Sequence, residues 1–304
     1  MLKQGNCVKR ITTVSTGKLE ANTGESFLIR GIYVSPESDN TYLTLKVDRK
    51  TVGVYRIYGR SGNHLDHMSQ DTIYKNLMEF LASKGINCTI PVAEGQSFSV
   101  SSVGTSPVVV IVYDRYDAGD IRADMPNGTD SKEYMFIQYM DTSETVDASE
   151  DVVLDVSLSP AEFPDFPCSR AVPANTEIEM LGLVGCPVGV GISDSDVTGS
   201  SYVKLVKERE TLFDEDRNGI PFFYQQGIFG GSNYWADFSL IGSCTSIDTS
   251  TIGGTLGDPL IFDPTLKFKS GEELLMYMSF IQVGARPISA NSIDLAAILN
   301  VKVV

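Results

Sequence analysis

The chain of 304 residues has two histidines, one tryptophan and five cysteines that never form a CxxC pair. His64 and His67 stand three apart with Asp66 between them, which could open a metal site. No distant His or Cys cluster completes it, and the polar, glycine-containing surroundings fit a solvated loop. Cys7, Cys88, Cys168, Cys186 and Cys244 are odd in number and scattered. That pattern fits neither a disulfide framework nor a zinc site and reads as buried free thiols.

Basic residues are also few. Lys and Arg number 24 against 39 Asp and Glu, a net charge of −15, which argues against broad contact with nucleic-acid phosphates. No run approaches the roughly 20 apolar residues of a membrane-spanning helix, and the first residues lack the apolar core of a signal peptide. Synthesis in a cytoplasm is the expectation. Missing too are the G-x-S-x-G elbow, the P-loop, the Rossmann glycines and H-E-x-x-H, so no motif points to an enzyme. A glycoside hydrolase needs only two carboxylates, and the aromatics between 222 and 235 could line a sugar site. Alternation such as Tyr234, Ala236, Phe238 reads better as core. The sequons Asn87-Cys88-Thr89 and Asn127-Gly128-Thr129 are chance matches in the absence of an export signal.

What the sequence does contain is short strand patterns. Residues 25–34, 42–47 and 52–58 are rich in β-branched and aromatic residues, are separated by polar turns, and predict an antiparallel meander. Residues 86–92, 97–103 and 107–113 continue the series. In the second half, 152–158, 177–184, 202–206, 222–226, 234–241, 274–283 and 295–304 carry the same signal, with longer loops between them. One segment differs: 71–84 spaces Ile73, Tyr74, Leu77, Met78, Phe80 and Leu81 as a helix, with Ser69 as its cap and Gly85 as its stop.

Between the halves lies an acidic stretch, 113–151, with eleven acids against three bases. It reads as a joint holding one crossing strand, 134–140, with Tyr113, Tyr116, Tyr134, Phe136 and Tyr139 as apolar anchors that a free linker would lack. The expected organisation is all-β: a first eight-stranded jelly roll over 1–115 with its helix near 71–84, the joint over 116–151, and a second jelly roll over 152–304.

One loop carries candidate metal ligands. Asp214, Asp216 and Asn218 with Gly219 match the first half of a calcium loop, where oxygens alternate and glycine allows the sharp turn. The twelfth position is Gln225 instead of a bidentate Glu, so a plain polar turn is the competing reading. No other cofactor is expected.

The tandem β halves, the size, Gly24-Glu25-Ser26-Phe27 leading into strands, the helix near 71–83 and the missing catalytic motifs together resemble the double jelly-roll major capsid proteins of tailless icosahedral viruses with an internal membrane. That resemblance implies a structural, non-enzymatic role: a homotrimer forming a pseudo-hexagonal capsomer that tiles an icosahedral shell in the virion. Its implied partners are other copies of the chain, minor capsid or penton proteins and the internal membrane, with no direct contact to nucleic acid. Lys3, Lys9, Arg10 and Lys18 against Glu20 alone make the first 20 residues basic, and they are expected to face anionic lipid. The alternative is a receptor- or glycan-binding spike built from β-sandwiches; a glycoside hydrolase comes behind it.

Overall fold

The computed structural model describes residues 8–14, 17–35, 41–57, 78, 82–83, 85–103, 108–145, 150–157, 165–186, 200–213, 219–224, 260–280 and 294–304. Over these the chain is predominantly β and separates into two compact units, Met1–Phe136 with Asn300–Val304, and Ile137–Leu299. The expected joint, 116–151, divides between them after Phe136.

The first unit contains β1 (Val8–Val14), β2 (Gly17–Glu20), β3 (Glu25–Ser35), β4 (Thr41–Val47), β5 (Lys50–Ile57), β6 (Ile90–Val92), β7 (Ser97–Val103) and β8 (Val108–Asp117). They form two four-stranded sheets, in the orders β1-β8-β3-β6 and β2-β7-β4-β5. The expected meander of β3, β4 and β5 is therefore corrected: β4 and β5 form a hairpin, but β3 pairs with β6 and β8 in the other sheet. Alternation gives every strand one buried face whichever sheet it joins, so it locates strands without choosing their neighbours.

Strand β7 shows the local logic. In Ser97-Phe98-Ser99-Val100-Ser101, Phe98 and Val100 are buried while the serines reach outward. Val109, Ile111 and Tyr113 alternate in the same way on β8. Each such large apolar side chain stabilises the unit by about 1.5–3 kcal/mol.

Strand β3 is buried on both faces over Ser26, Phe27, Leu28 and Ile29. The outer side is covered by the segment after β8, where Ile121 and Met125 join Leu28 and Tyr116 in a small satellite core. Ser26 fixes that cover, donating from Oγ to the Asp117 carbonyl at 2.7 Å and accepting from Ile121 N at 3.3 Å. The start of the acidic stretch is thus anchored to the sheet.

The remaining strands are β9 (Glu133–Asp141), β10 (Asp151–Val153), β11 (Val156–Ser157), β12 (Thr176–Cys186), β13 (Ser200–Lys207), β14 (Glu210–Leu212), β15 (Ile220–Tyr224), β16 (Leu260–Phe268), β17 (Leu275–Phe280) and β18 (Asp294–Val303). Their sheets run β11-β9-β18-β12-β16 and β10-β17-β13-β14, with β15 also paired to β13. β14 lies beside Leu205–Lys207 and β15 beside Ser200–Val203, so the two are successive pieces of one neighbour.

Set β11 aside and count β14 with β15 as one, and both sets of sheets share an order: first-eighth-third-sixth and second-seventh-fourth-fifth. The repeat extends to single residues. Ala21, four residues before β3, donates to Gln96 O and accepts from Gly95 N; Val172, four before β12, donates to Glu272 O and accepts from Gly271 N. Gly24 and Asn175 precede the two strands with positive φ, 86° and 56°. Both strands change register at a glycine, Gly31 and Gly182. A Cβ on Gly182 would stand 3.0 Å from the Leu260 carbonyl carbon and 3.1 Å from Ile261 Cα, closer than an unshifted backbone tolerates.

Of the expected helix over 71–84, the described residues Met78, Ala82 and Ser83 are helical, and Gly85 follows with φ 83°. The remainder of that segment, and the expected strand at 234–241, lie outside the described residues.

Candidate functional site

The residues that sequence reading assigned to metal chemistry, Asp214, Asp216 and Asn218, lie outside the described residues, as do His64, Asp66 and His67. Among the described residues no group of three or more His, Cys, Asp or Glu side chains is placed to hold a metal ion. The polar groups that are drawn together form three arrangements.

The first is the acidic connection after β8. Asn127 adopts φ 65°, a conformation Asn tolerates better than most residues, and is buried. Its Nδ2 donates to the carbonyls of Asn87 at 3.0 Å and Thr89 at 3.2 Å, while Oδ1 accepts from Met135 N at 2.7 Å. One side chain thus ties together the approach to β6, the loop and β9. Gly128 follows, where a Cβ would come 2.7 Å from Ala123 C and 2.8 Å from Met125 O. Gln96 Nε2 donates to Thr129 Oγ1 at 2.8 Å.

Lys50 closes the same loop. Its Nζ donates to Thr129 O at 3.3 Å and Gly128 O at 3.5 Å, and lies 4.6 Å from the centre of the Tyr134 ring. Burial lowers the Lys50 pKa below its ordinary value, opposed by the charge of Asp130. Burial likewise raises that of Tyr134. A lysine depressed in this way would suit a nucleophile if it were open to substrate, but this one is spent on two carbonyls and a ring. Its chemistry is that of a clamp.

The second arrangement surrounds Cys168, which donates from Sγ to Val156 O at 3.4 Å and packs under β9, with Gln138 Nε2 bonded to Ser157 Oγ. Desolvation pushes the thiol up to about 12, so it is protonated and inert at neutral pH. Cys88 is also free and is pushed up to about 12 by burial. Cys168 is thus the buried free thiol expected, while Cys88 is free but only half-buried.

The third is a set of ion pairs. Arg115 joins Glu25 at 2.5 Å and Arg30 joins Asp114 at 2.7 Å across β3 and β8. In the second unit Lys204 meets Asp151 at 2.6 Å, and Lys207 meets Glu272 at 3.3 Å while lying 4.8 Å from the Phe268 ring centre. Desolvation would raise the Asp151 pKa, but hydrogen bonds from Lys204 and Ser279 with the Lys204 charge outweigh it and lower the value. Glu272 is lowered by its bond from Lys269 N and by Lys207.

Apart from Arg115 Nε, which is buried without a partner, the groups of the three arrangements are bonded to other described residues, so what they do is hold turns and strands together. Sequence reading named the tyrosines of the acidic stretch but missed Asn127 and Lys50. The cue was the Asn-Gly step, noted there as a chance sequon; nothing local marks Lys50, whose partners lie about 80 residues away. No protein-family model matches the chain, and no curated protein matches it.

Proposed function

We propose that this chain is a structural viral coat protein, a double jelly-roll major capsid protein whose three copies close into a pseudo-hexagonal capsomer and tile an icosahedral shell. The observation that carries the reading is the strand order. First-eighth-third-sixth against second-seventh-fourth-fifth is what a jelly roll's paired Greek keys produce, and it occurs twice in one chain. Two like units per copy give a ring of three copies a six-sided outline, and ring closure leaves no lateral surface open. The matching turn bonds of Ala21 and Val172 support a repeated unit at the level of single residues.

On this reading the partners are other copies of the chain, minor capsid or penton proteins and an internal membrane faced by the basic first residues, and the site of action is the virion. Electron microscopy of purified protein tests it. Six-sided tiles or closed shells are the expected images; dispersed particles of monomer size at every concentration would refute the reading.

A receptor- or glycan-binding β-protein is favoured by one observation. Phe213 is 53% exposed and stacks on Phe262 with ring centres 5.2 Å apart, the kind of outward aromatic a sugar face can use. A glycan array showing binding that Phe213→Ala abolishes would establish this second reading.

A further inference from the structure

We propose that Arg209 and Arg49, at matching hairpin tips of the two units, are docking groups that meet carboxylates on a neighbouring copy of the chain. This rests on the reading above that copies associate, and it names the side chains through which they do so.

The hairpins are topological equivalents. β4–β5 closes with Val47 opposite Lys50 and leaves Asp48-Arg49 at its tip; β13–β14 closes with Lys207 opposite Glu210 and leaves Glu208-Arg209. All four tip residues are exposed. Each tip thus presents an acid followed by an arginine, although the surrounding sequences differ.

The second tip is built at a steric disadvantage. Glu208 and Arg209 have φ of 50° and 75°, the paired left-handed conformation for which two-residue hairpins ordinarily use Asn-Gly. Elsewhere among the described residues the left-handed positions are single ones, taken by glycine as at Gly24, Gly95 and Gly271, by Asp48, Asn127 and Asn175, or by Ser169 and Phe213; Glu208 and Arg209 are two in succession. Asp48 is left-handed too, at 53°, but has a local reason: its Oδ1 accepts from Ser97 N at 2.9 Å and Ser97 Oγ at 3.2 Å. No ion pair or side-chain hydrogen bond joins Arg49, Glu208 or Arg209 to another described residue. Strain that no bond to a described residue repays points to a role met outside the chain.

A guanidinium offers forked donors that fit a carboxylate, and a chain of net charge −15 supplies carboxylates over much of its own surface. An anionic membrane fits less well. Asp48, Glu208 and Glu210 flank the arginines and would repel lipid phosphates, whereas a protein surface can offer a base to the acid and an acid to the base.

The test uses the full chain in three forms besides wild type: Arg49→Ala, Arg209→Ala, and Glu208→Asn with Arg209→Gly. Sedimentation over a concentration series reads association, and a thermal melt reads folding. Each Arg→Ala change is expected to raise the half-association concentration about tenfold, or about 1.4 kcal/mol. The Asn-Gly variant is expected to weaken association while melting no lower than wild type, since it relieves the turn. Association unchanged in all three variants, or falling only in step with melting temperature, overturns the docking role while leaving the coat-protein reading intact. A wild type that never associates overturns both. Co-flotation with phosphatidylserine vesicles, lost in the Arg→Ala variants while association persists, would transfer the tips to a lipid surface and overturn the assignment to a neighbouring copy.

Discussion

Lys50 holds its Nζ 4.6 Å from the centre of the Tyr134 ring, so a β-hairpin tip in the first unit grips the start of β9. The same ammonium caps the carbonyls of Gly128 and Thr129. Replacing it with alanine removes the cation over the ring and both bonds, and the expected loss is about 1–2 kcal/mol of stability in thermal unfolding.

The pH dependence of that clamp has a definite sign. Burial lowers the folded pKa of Lys50 below 10.5, so just under that pH the unfolded chain binds more protons and the group's contribution to stability rises with pH. Tyr134 works the other way, since burial raises its pKa above 10.0 and its contribution falls as pH climbs past that value. The stability advantage of wild type over Lys50→Met should therefore widen as pH climbs from neutral toward 10.5. An advantage that narrows over that range would mean the ammonium is not desolvated.

Gly182 and Gly128 leave room for neighbouring backbone that a methyl group would fill. Alanine at either position should cost about 1–3 kcal/mol through forced backbone shifts. Gly24→Ala meets no atom within 4 Å, and its cost is conformational only, from φ 86°. Denaturant titration of the three variants separates the cases: the first two should exceed the third.

Asn127 belongs to a sequon, yet its amide is consumed by three backbone partners. Expressed through a glycosylating host, the folded protein should carry no glycan at Asn127, as peptide mass mapping would show. Asn127→Ala should destabilise by about 2–3 kcal/mol, because it strands buried carbonyl and amide groups.

Cys88 and Cys168, both pushed up to about 12, should resist alkylation in the native protein at mildly alkaline pH and react once unfolded. Mass mapping of alkylated peptides reads the two separately from the remaining cysteines. Rapid native labelling of Cys168 would show that the segment over β9 opens.

Most strands were legible in the sequence because alternation and β-branched content are local. Residues 97–103 became β7 with the same ends, and 25–34 became β3 one residue longer. Three kinds of strand escaped. β1 and β2 lie in polar sequence with no strong alternation, β14 is only three residues long, and β16 contains Pro264, which demotes a run by the usual rule. Pairing was legible for the β4–β5 hairpin but not for β3, whose neighbours β8 and β6 come from far along the chain, so that only closure of the unit selects them. The clamp at Lys50 was hidden for the same reason. The apolar anchors of the acidic stretch could be read, since Tyr113, Tyr116, Phe136 and Tyr139 are buried and aromatic content is visible without knowing what it packs on.

The central claim is that three copies of this repeated fold make one tile, and native mass measurement of the purified chain across salt tests it most directly. The account predicts a mass three times that of the 33.1 kDa chain at moderate salt, with the trimer weakening at low salt and high pH, where repulsion among the excess carboxylates is least screened. A single species of 33.1 kDa at every salt and protein concentration would contradict it.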